Sequence, residues 1–220
     1  MITVQDVKES AAIKNYMLIG NEFIGNAGAI EHDLSHAQKV SDLCTHILST
    51  LGLPEREVQL GAIAGYLHDI GNLINRYGHG MSGALMAFSL LLDLGMDPGE
   101  TALIMGAIGN HEEHAQGKPI NNVAAALILA DKSDVQRSRV RKTDFAVFTP
   151  RDRVNYAVFD SRLVVDPDRS RISLMMQIDT EVCSVMEYFE IFLTKMLMCR
   201  RAAEFLNCEF ELNINDYRLL

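Results

Sequence analysis

Long hydrophobic runs are missing from this 220-residue sequence, and the longest, such as Val123 to Ala130, are far too short to cross a bilayer. The N-terminus also lacks the charged-then-apolar pattern of a secretory leader. The four cysteines are scattered and form no C-x-x-C pair, which predicts reduced and mostly buried thiols. We therefore expect a cytoplasmic protein with no membrane partner.

Positive charge is also scarce, since 20 Lys and Arg stand against 29 Asp and Glu and the net charge is −9. Such an acidic chain is a poor candidate for broad binding to nucleic acid or anionic lipid, and we expect neither as a partner. Internal repeats and low-complexity segments are absent as well. The hydrophobic content of 48% and the charged content of 22% are typical of one globular domain, alone or with a smaller appendage.

Helical periodicity dominates the chain up to about Arg141. Apolar residues recur on one face of each predicted helix, Gly52 ends one of them, and Pro54 begins the next. The predicted helices span residues 3–20, 29–51, 54–71, 80–94, 98–110 and 120–139.

The composition changes after Arg141. Residues 154–165 are rich in β-branched and aromatic side chains, a turn pattern follows at 166–170, and apolar and polar residues alternate at 172–178. Helical periodicity returns at 181–205, and alternation returns at 210–214. The fold class is therefore mainly α: a helical bundle at 1–141 with a small α+β appendage at 142–220, built from a β-hairpin, a helix and a strand.

Four ionisable residues interrupt the apolar faces of three predicted helices: His36, the pair His68-Asp69, and Asp131. Each taken alone has an ordinary explanation, such as a hydrogen-bonded core histidine or a surface aspartate. Together, two imidazoles and two carboxylates from three helices form a ligand set that suits a divalent transition metal, namely Fe, Mn, Co, Ni or Zn. Because a carboxylate has two oxygens, Asp69 could bridge two ions.

This pattern resembles the HD superfamily of metal-dependent phosphohydrolases over roughly residues 29–141. The resemblance rests on His36, on Leu67-His68-Asp69-Ile70-Gly71 and on Ala130-Asp131-Lys132. It implies an HD-type helical bundle in which His36, His68, Asp69 and Asp131 bind the metal.

Two further histidines lie where related HD proteins with two or three metals place extra ligands. His79 and His111 are therefore candidates for a second metal ion, for phosphate contact or for catalysis, with a surface loop histidine as the alternative for each, so that one or two ions are expected. His114 could share the helical face of His111, although a surface role is favoured for it. His32 lies one helical turn before His36, where HD-GYP phosphodiesterases have Glu, and this departure leaves a third metal in doubt.

Other departures concern the substrate. Asn72 stands where many HD proteins have Lys, and the Gly-Tyr-Pro segment is replaced by Gln-Gly-Lys-Pro at 116–119, so cyclic-di-GMP is not assigned. Replacement charge could come from a basic cluster between Lys132 and Lys142, in which Lys132 and Arg137 are the nearest candidates for phosphate binding. A solvated helix end is the alternative interpretation of this cluster.

The hypothesis is a metal-dependent phosphohydrolase acting on a phosphomonoester or phosphodiester, with a small nucleotide as the expected substrate. Asp69 would orient the nucleophile, and His79 or His111 would bind a second ion or protonate the leaving oxygen. A nucleotide- or metal-sensing regulatory module without turnover is the alternative, and a helical interaction domain with incidental histidines is a third. A homodimer formed through exposed strand edges of the tail is also a hypothesis.

Overall fold

A bundle of helices forms the first two thirds of the protein, as seen in a computed structural model whose described residues are 1–113 and 117–219. A short 3₁₀ turn at Ile70–Leu73 follows the fourth helix. The helices of this part are α1 (Val4–Glu9), α2 (Ala11–Asn26), α3 (Leu34–Thr50), α4 (Glu55–Leu67), α5 (His79–Asp93), α6 (Pro98–Gly109) and α7 (Asn122–Ser133).

Capping residues explain where these helices differ from the predicted spans. The predicted helix 3–20 is two helices, because the Ser10 side chain accepts from the Ile13 amide and starts α2, which continues to Asn26. The predicted helix 29–51 begins only at Leu34, since Asp33 caps α3 through the amides of residues 35 and 36. The predicted helix 120–139 ends at Ser133, so the basic cluster that follows is not helical in the expected register.

Two glycines let backbone segments approach closely around the histidines and aspartates singled out in the sequence. A Cβ at Gly65 on α4 would lie 2.8 Å from Ser41 Cα on α3, and a Cβ at Gly71 would lie 2.1 Å from the His79 carbonyl oxygen. Neither separation is sterically tolerable, so only glycine permits these contacts. The close approach of α3 to α4, and of the 3₁₀ turn to α5, brings their polar residues together.

The C-terminal third adds α8 (Pro150–Ala157), β1 (Val158–Asp166), β2 (Arg171–Ile178), α9 (Val185–Phe205), β3 (Glu209–Ile214) and β4 (Tyr217–Arg218). The strands form one sheet in the order β1-β2-β3-β4. The β1–β2 and β3–β4 pairs are antiparallel and the β2–β3 pair is parallel, with α9 making the crossover. The predicted fold class, a mainly α bundle with a small α+β appendage, is confirmed.

Two details of this appendage were not predicted. Residues 154–157, the first part of the predicted strand 154–165, belong instead to α8, because Thr149 and Asp152 form a reciprocal capping box and Pro150 occupies the first turn of that helix. The short strand β4 follows a turn at Asn215 and Asp216, both of which have positive φ.

The appendage packs on the bundle mainly through α9, which lies against α7. Tyr188 and Phe192 of α9 are fully buried and belong to the same apolar core as Leu127 of α7. The domain boundary after residue 141 and the homodimer stay predictions. Among the described helices, none is long and apolar enough to cross a membrane.

Candidate metal centre

Three helix ends and one turn converge on a cluster of buried histidines and aspartates. His36 lies in the first turn of α3, His68 directly follows α4, and Asp69 precedes the 3₁₀ turn, while Asp131 lies near the end of α7. His36 Nε2 lies 3.2 Å from His68 Nε2 and 3.5 Å from both Asp69 Oδ2 and Asp131 Oδ1. The four residues form what we call the first half-site.

Two more histidines form a second half-site that shares Asp69. His79 begins α5 and His111 follows α6, and both side chains are buried. Their Nε2 atoms are 3.0 Å apart, and His79 Nε2 lies 3.3 Å from Asp69 Oδ1. Because Asp69 Oδ2 faces His68 at 3.1 Å, the two carboxylate oxygens point into different half-sites.

Hydrogen bonds at the far side of each ring fix which nitrogen is free. His68 Nδ1 donates to the Gly65 carbonyl at 2.8 Å, and His111 Nδ1 donates to the Ile108 carbonyl at 2.6 Å. His79 Nδ1 likewise donates to the Arg76 carbonyl at 2.8 Å. Since a carbonyl only accepts, each neutral ring presents an Nε2 lone pair to the cluster.

Facing lone pairs need a cation between them or beside them. The Nε2 pairs at 3.0 and 3.2 Å have no proton to share when the rings are neutral. Asp69 Oδ2 is buried and has no hydrogen-bond donor, which is costly without a compensating charge. Mixed imidazole and carboxylate donors fit a divalent transition metal. Ligand atoms from three overlapping triads come within 4.8 Å of one another: His36/His68/Asp69, His68/His111/Asp131 and Asp69/His79/His111.

The two half-sites differ in their electrostatics. Burial would lower the pKa of His68, but Asp69 and Asp131 raise it to about 10. Burial would raise the pKa of Asp69, yet His68 and the other nearby histidines hold it well below its usual range. By contrast, burial followed by the charges of His79 and His68 lowers the pKa of His111 well below its usual range. A proton is therefore favoured on His68 and opposed on His111.

A residue that sequence reasoning missed orients His36. Asp134, which caps the end of α7, accepts from His36 Nδ1 at 2.6 Å and is itself held by Lys39 Nζ at 2.6 Å and by Arg139. A carboxylate behind a ligating imidazole fixes the ring and increases its basicity. Its position three residues after Asp131 was the available signal, because that spacing keeps both residues near one helix face.

Arg76 is a second missed residue. Its NH1 lies 3.3 Å from Asp69 Oδ1, 3.1 Å from Asn72 Oδ1 and 3.5 Å from His79 Nε2. The position four residues after Asn72 could have indicated this contact. Arg76 thus supplies a positive charge beside Asn72, where many HD proteins have Lys.

A cavity of about 380 Å³ lies beside the second half-site. His79, His32, Arg76 and Lys132 line it, together with residues of the loop after α2 and of the start of α8. Lys132 donates to Asp131 Oδ2 at 2.7 Å, so it joins the cavity to the first half-site. Lys132, which the sequence predicts to bind phosphate, therefore lines the same cavity as His79.

Other predicted residues lie elsewhere. Arg137 does not line this cavity: its Nε donates to the Tyr156 carbonyl at 2.7 Å and its guanidinium stacks 4.3 Å from the Tyr156 ring. The cause is the end of α7 at Ser133, which turns the following basic residues onto another path. His32 precedes α3 rather than lying on it, although its ring still packs edge-on against His36 with centroids 5.6 Å apart. His114 lies outside the described residues.

Part of the chain matches a known domain family. Residues 33–136 match the family model of the HD domain, and the matched segment contains every residue of both half-sites. Residues 33–136 are therefore similar to an HD domain, and the resemblance seen in the sequence is confirmed over that segment. HD domains bind divalent metals, and the proteins that contain them are generally metal-dependent hydrolases. A search of the curated proteins gives no match.

Proposed function

We propose that this protein is a phosphohydrolase that cleaves a phosphomonoester or phosphodiester, with a small nucleotide as the substrate class. The observation that carries the proposal is the convergence of four Nε2 atoms on the oxygens of Asp69 and Asp131, with Asp69 Oδ2 buried and without a hydrogen bond. This donor set fits one or two divalent transition-metal ions. When bound, such an ion would polarise the phosphoryl group and bring the pKa of a water to about 7.

The residues of the first half-site would hold the primary ion. Asp69 would position the reacting groups between the half-sites, because its two oxygens face different histidines. His79 and His111 would bind a second ion. With a single ion bound, His79 would instead hold a proton at Nε2 for the leaving oxygen, a role that the lowered pKa of His111 opposes at that residue.

Cationic side chains next to the half-sites would bind the phosphoryl oxygens. Lys132 Nζ and Arg76 NH1 each lie beside a proposed ligand, at 2.7 Å from Asp131 and 3.3 Å from Asp69 respectively. Arginine matches phosphate geometry through paired N–H donors. Arg76 replaces Arg137 in this proposal, since Arg137 packs on Tyr156 instead.

The alternative of a non-catalytic sensing module drew its support from the missing Lys at position 72. Arg76 weakens that argument, because its guanidinium donates to the Asn72 side chain and brings the charge to the same place. The alternative predicts nucleotide or metal binding without turnover, so the same assay separates the two.

The test is a panel of phosphomonoesters and phosphodiesters, nucleotides included, assayed with Mn, Fe, Co, Ni, Zn and Mg. We expect hydrolysis with at least one transition metal, loss of hydrolysis with a chelator, and recovery on adding the metal back. Binding of nucleotide without any turnover, in a sample shown by elemental analysis to contain metal, would contradict the proposal. The control is His46→Ala, which should leave hydrolysis unchanged, because His46 is an exposed histidine of α3 outside both half-sites.

A further inference from the structure

We propose that the C-terminal appendage completes the substrate site, with Arg151 of α8 binding a phosphate oxygen of the ligand. The residue lies outside the HD match at 33–136, and the cavity beside the half-sites includes it together with Thr149 and Asp152. The inference deepens the proposed function, on which it rests for the reaction but not for the binding of phosphate.

The position of Arg151 leaves it able to reach a ligand. Its NH2 donates to Glu113 Oε1 at 3.2 Å, and its guanidinium carbon lies 5.8 Å from the centre of the Phe192 ring. The side chain remains 39% exposed while Glu113 is only 13% exposed. Arg151 is therefore held by a mostly buried counter-ion and an aromatic ring, and its side chain is partly exposed at the cavity wall.

Several cations crowd around that counter-ion. Glu113 interacts electrostatically with Arg151, with Lys132 of α7 and with Lys195 of α9, which come from three different helices. Burial and the charges of Lys132 and Arg151, against the opposing effect of Glu113, lower the pKa of Lys195 to about 7. Asp131, like Glu113, acts to raise the pKa of Lys195, but Asp131 is itself paired with Lys132, whose Nζ lies 2.7 Å from Asp131 Oδ2.

The other acidic residues of the cavity wall already have partners of their own. Asp152 accepts from Thr149 at 2.6 Å and also pairs with Lys142, while Glu112 accepts from the amides of Gly78 and Gly80. Both carboxylates are therefore held by contacts other than Arg151. The cavity wall carries as many carboxylates as cations, but Arg76, Lys132 and Arg151 bring N–H donors from three parts of the chain to one space, and such donors bind phosphate oxygens.

Another part of the same cavity wall is apolar. The loop after α2 contributes an apolar stretch that runs from Ala27 to Ile30, and Ile24 of α2 adds to it. A cavity of about 380 Å³ with cations and an apolar stretch suits a phosphoester that has an apolar or flat body. Arginine is suited to the phosphate because its forked donors can bind two oxygens at once.

Glu113 acts in this scheme as the anion that Arg151 holds before a ligand binds. A phosphate would compete with the Glu113 carboxylate for the guanidinium. Neutralising Glu113 should therefore strengthen phosphate binding, whereas neutralising Arg151 should weaken it. A merely structural ion pair predicts no such opposite effects, because both changes would break the same contact.

The test measures binding of inorganic phosphate to the full-length protein as purified with its metal, by calorimetry. We expect Arg151→Gln to weaken binding about ten-fold or more, Arg151→Lys to recover part of it, and Glu113→Gln to tighten it. The matched control is Arg153→Gln, because Arg153 lies on the same helix and pairs with Glu187 of α9, yet does not line the cavity. It should leave phosphate affinity unchanged.

Phosphate affinity that is the same in Arg151→Gln and the wild type would overturn the inference, as would an equal loss in Arg153→Gln. Should Arg151→Gln fail to fold, the opposite signs expected for Arg151→Lys and Glu113→Gln still decide the matter. With a hydrolysed substrate in hand, Arg151→Gln should raise KM more than it lowers kcat. If no phosphoester is turned over but phosphate binding still depends on Arg151, the proposed function fails and this inference stands.

Discussion

The two half-sites share Asp69 but are built differently. The first combines two histidines with Asp69 and Asp131, whereas the second combines two histidines with Asp69, and only His111 of the second also comes near Asp131. Each half-site has a cation beside it: Arg76 NH1 lies 3.5 Å from His79 Nε2, and Lys132 Nζ lies 2.7 Å from Asp131 Oδ2. Because a bound cation gains from each carboxylate, the additional carboxylate of the first half-site should make it hold its ion more tightly.

The ligands are also oriented differently in the two half-sites. His36 donates to the carboxylate of Asp134 at 2.6 Å, whereas His68 and His111 donate to backbone carbonyls. His79 Nδ1 lies 2.8 Å from the Arg76 carbonyl oxygen and only 3.4 Å from the Glu112 carboxylate, so its carboxylate contact is the longer one. A carboxylate partner increases the basicity of the imidazole more than a carbonyl does. We therefore predict that the first half-site holds its ion tightly and that the second exchanges its ion more readily. Four variants test that difference.

The largest effect is expected from Asp69→Ala, since this residue is common to both half-sites. Its loss removes a ligand from each, so metal content should fall towards zero and activity below about 1% of wild type. Elemental analysis and a turnover assay measure the two quantities. A metal-loaded Asp69→Ala sample that turned over at the wild-type rate would show that the half-sites do not depend on a shared carboxylate.

His111→Ala should separate the half-sites. The second half-site loses a ligand while the first keeps its two carboxylates, so a wild-type protein with two ions should become a protein with one. Activity should fall about ten-fold to a hundred-fold, by analogy with the loss of a supporting metal contact. Loss of both ions from His111→Ala would mean that the two half-sites act as one unit.

Asp134→Asn tests orientation without removing a ligand. We expect metal affinity at the first half-site to fall about 10–100-fold, because the amide holds His36 less strongly, and activity to return at high metal concentration. Competition against a coloured chelator measures the affinity. Asp42→Asn, an exposed charge change on the same helix, should leave it unchanged. Equal affinities in Asp134→Asn and wild type would remove Asp134 from the account.

The smallest effect is expected from Arg76→Gln, which should act in two directions. Removing the cation beside His79 should tighten the second ion by a few-fold, on the order of one nearby charge in a partly solvated site. The same change should weaken phosphate binding. A calorimetric titration of metal and of phosphate would show both. A loss of metal affinity in this variant would indicate that Arg76 supports the ligands rather than opposing the ion.

The residues on which the HD resemblance rests could be found from sequence, because each interrupts an apolar helical face. Asp134 and Arg76 could not be given roles in that way. The role of Asp134 depends on α3 and α7 meeting across 98 positions of sequence, and that of Arg76 depends on how the 3₁₀ turn packs against α5. Arg137 lies on Tyr156 rather than at the cavity because α7 ends at Ser133, six residues earlier than its periodicity suggested.

The same contrast applies to the fold. The apolar periodicity of the bundle was strong enough to locate its helices, although capping residues moved several ends. At 150–157 a capping box between Thr149 and Asp152 was present in the sequence, yet the β-branched residues that follow favoured a strand. Local polar contacts decided that segment, and with it the position of Arg151 on the cavity wall.

Anomalous diffraction at the absorption edge of the metal found by elemental analysis tests the central claim most directly. The account predicts a peak within bonding distance of His36, His68, Asp69 and Asp131, and a second, weaker peak beside His79 and His111. Histidines and aspartates bonded only to one another and to water, with no peak among them in a metal-supplied crystal, would contradict it.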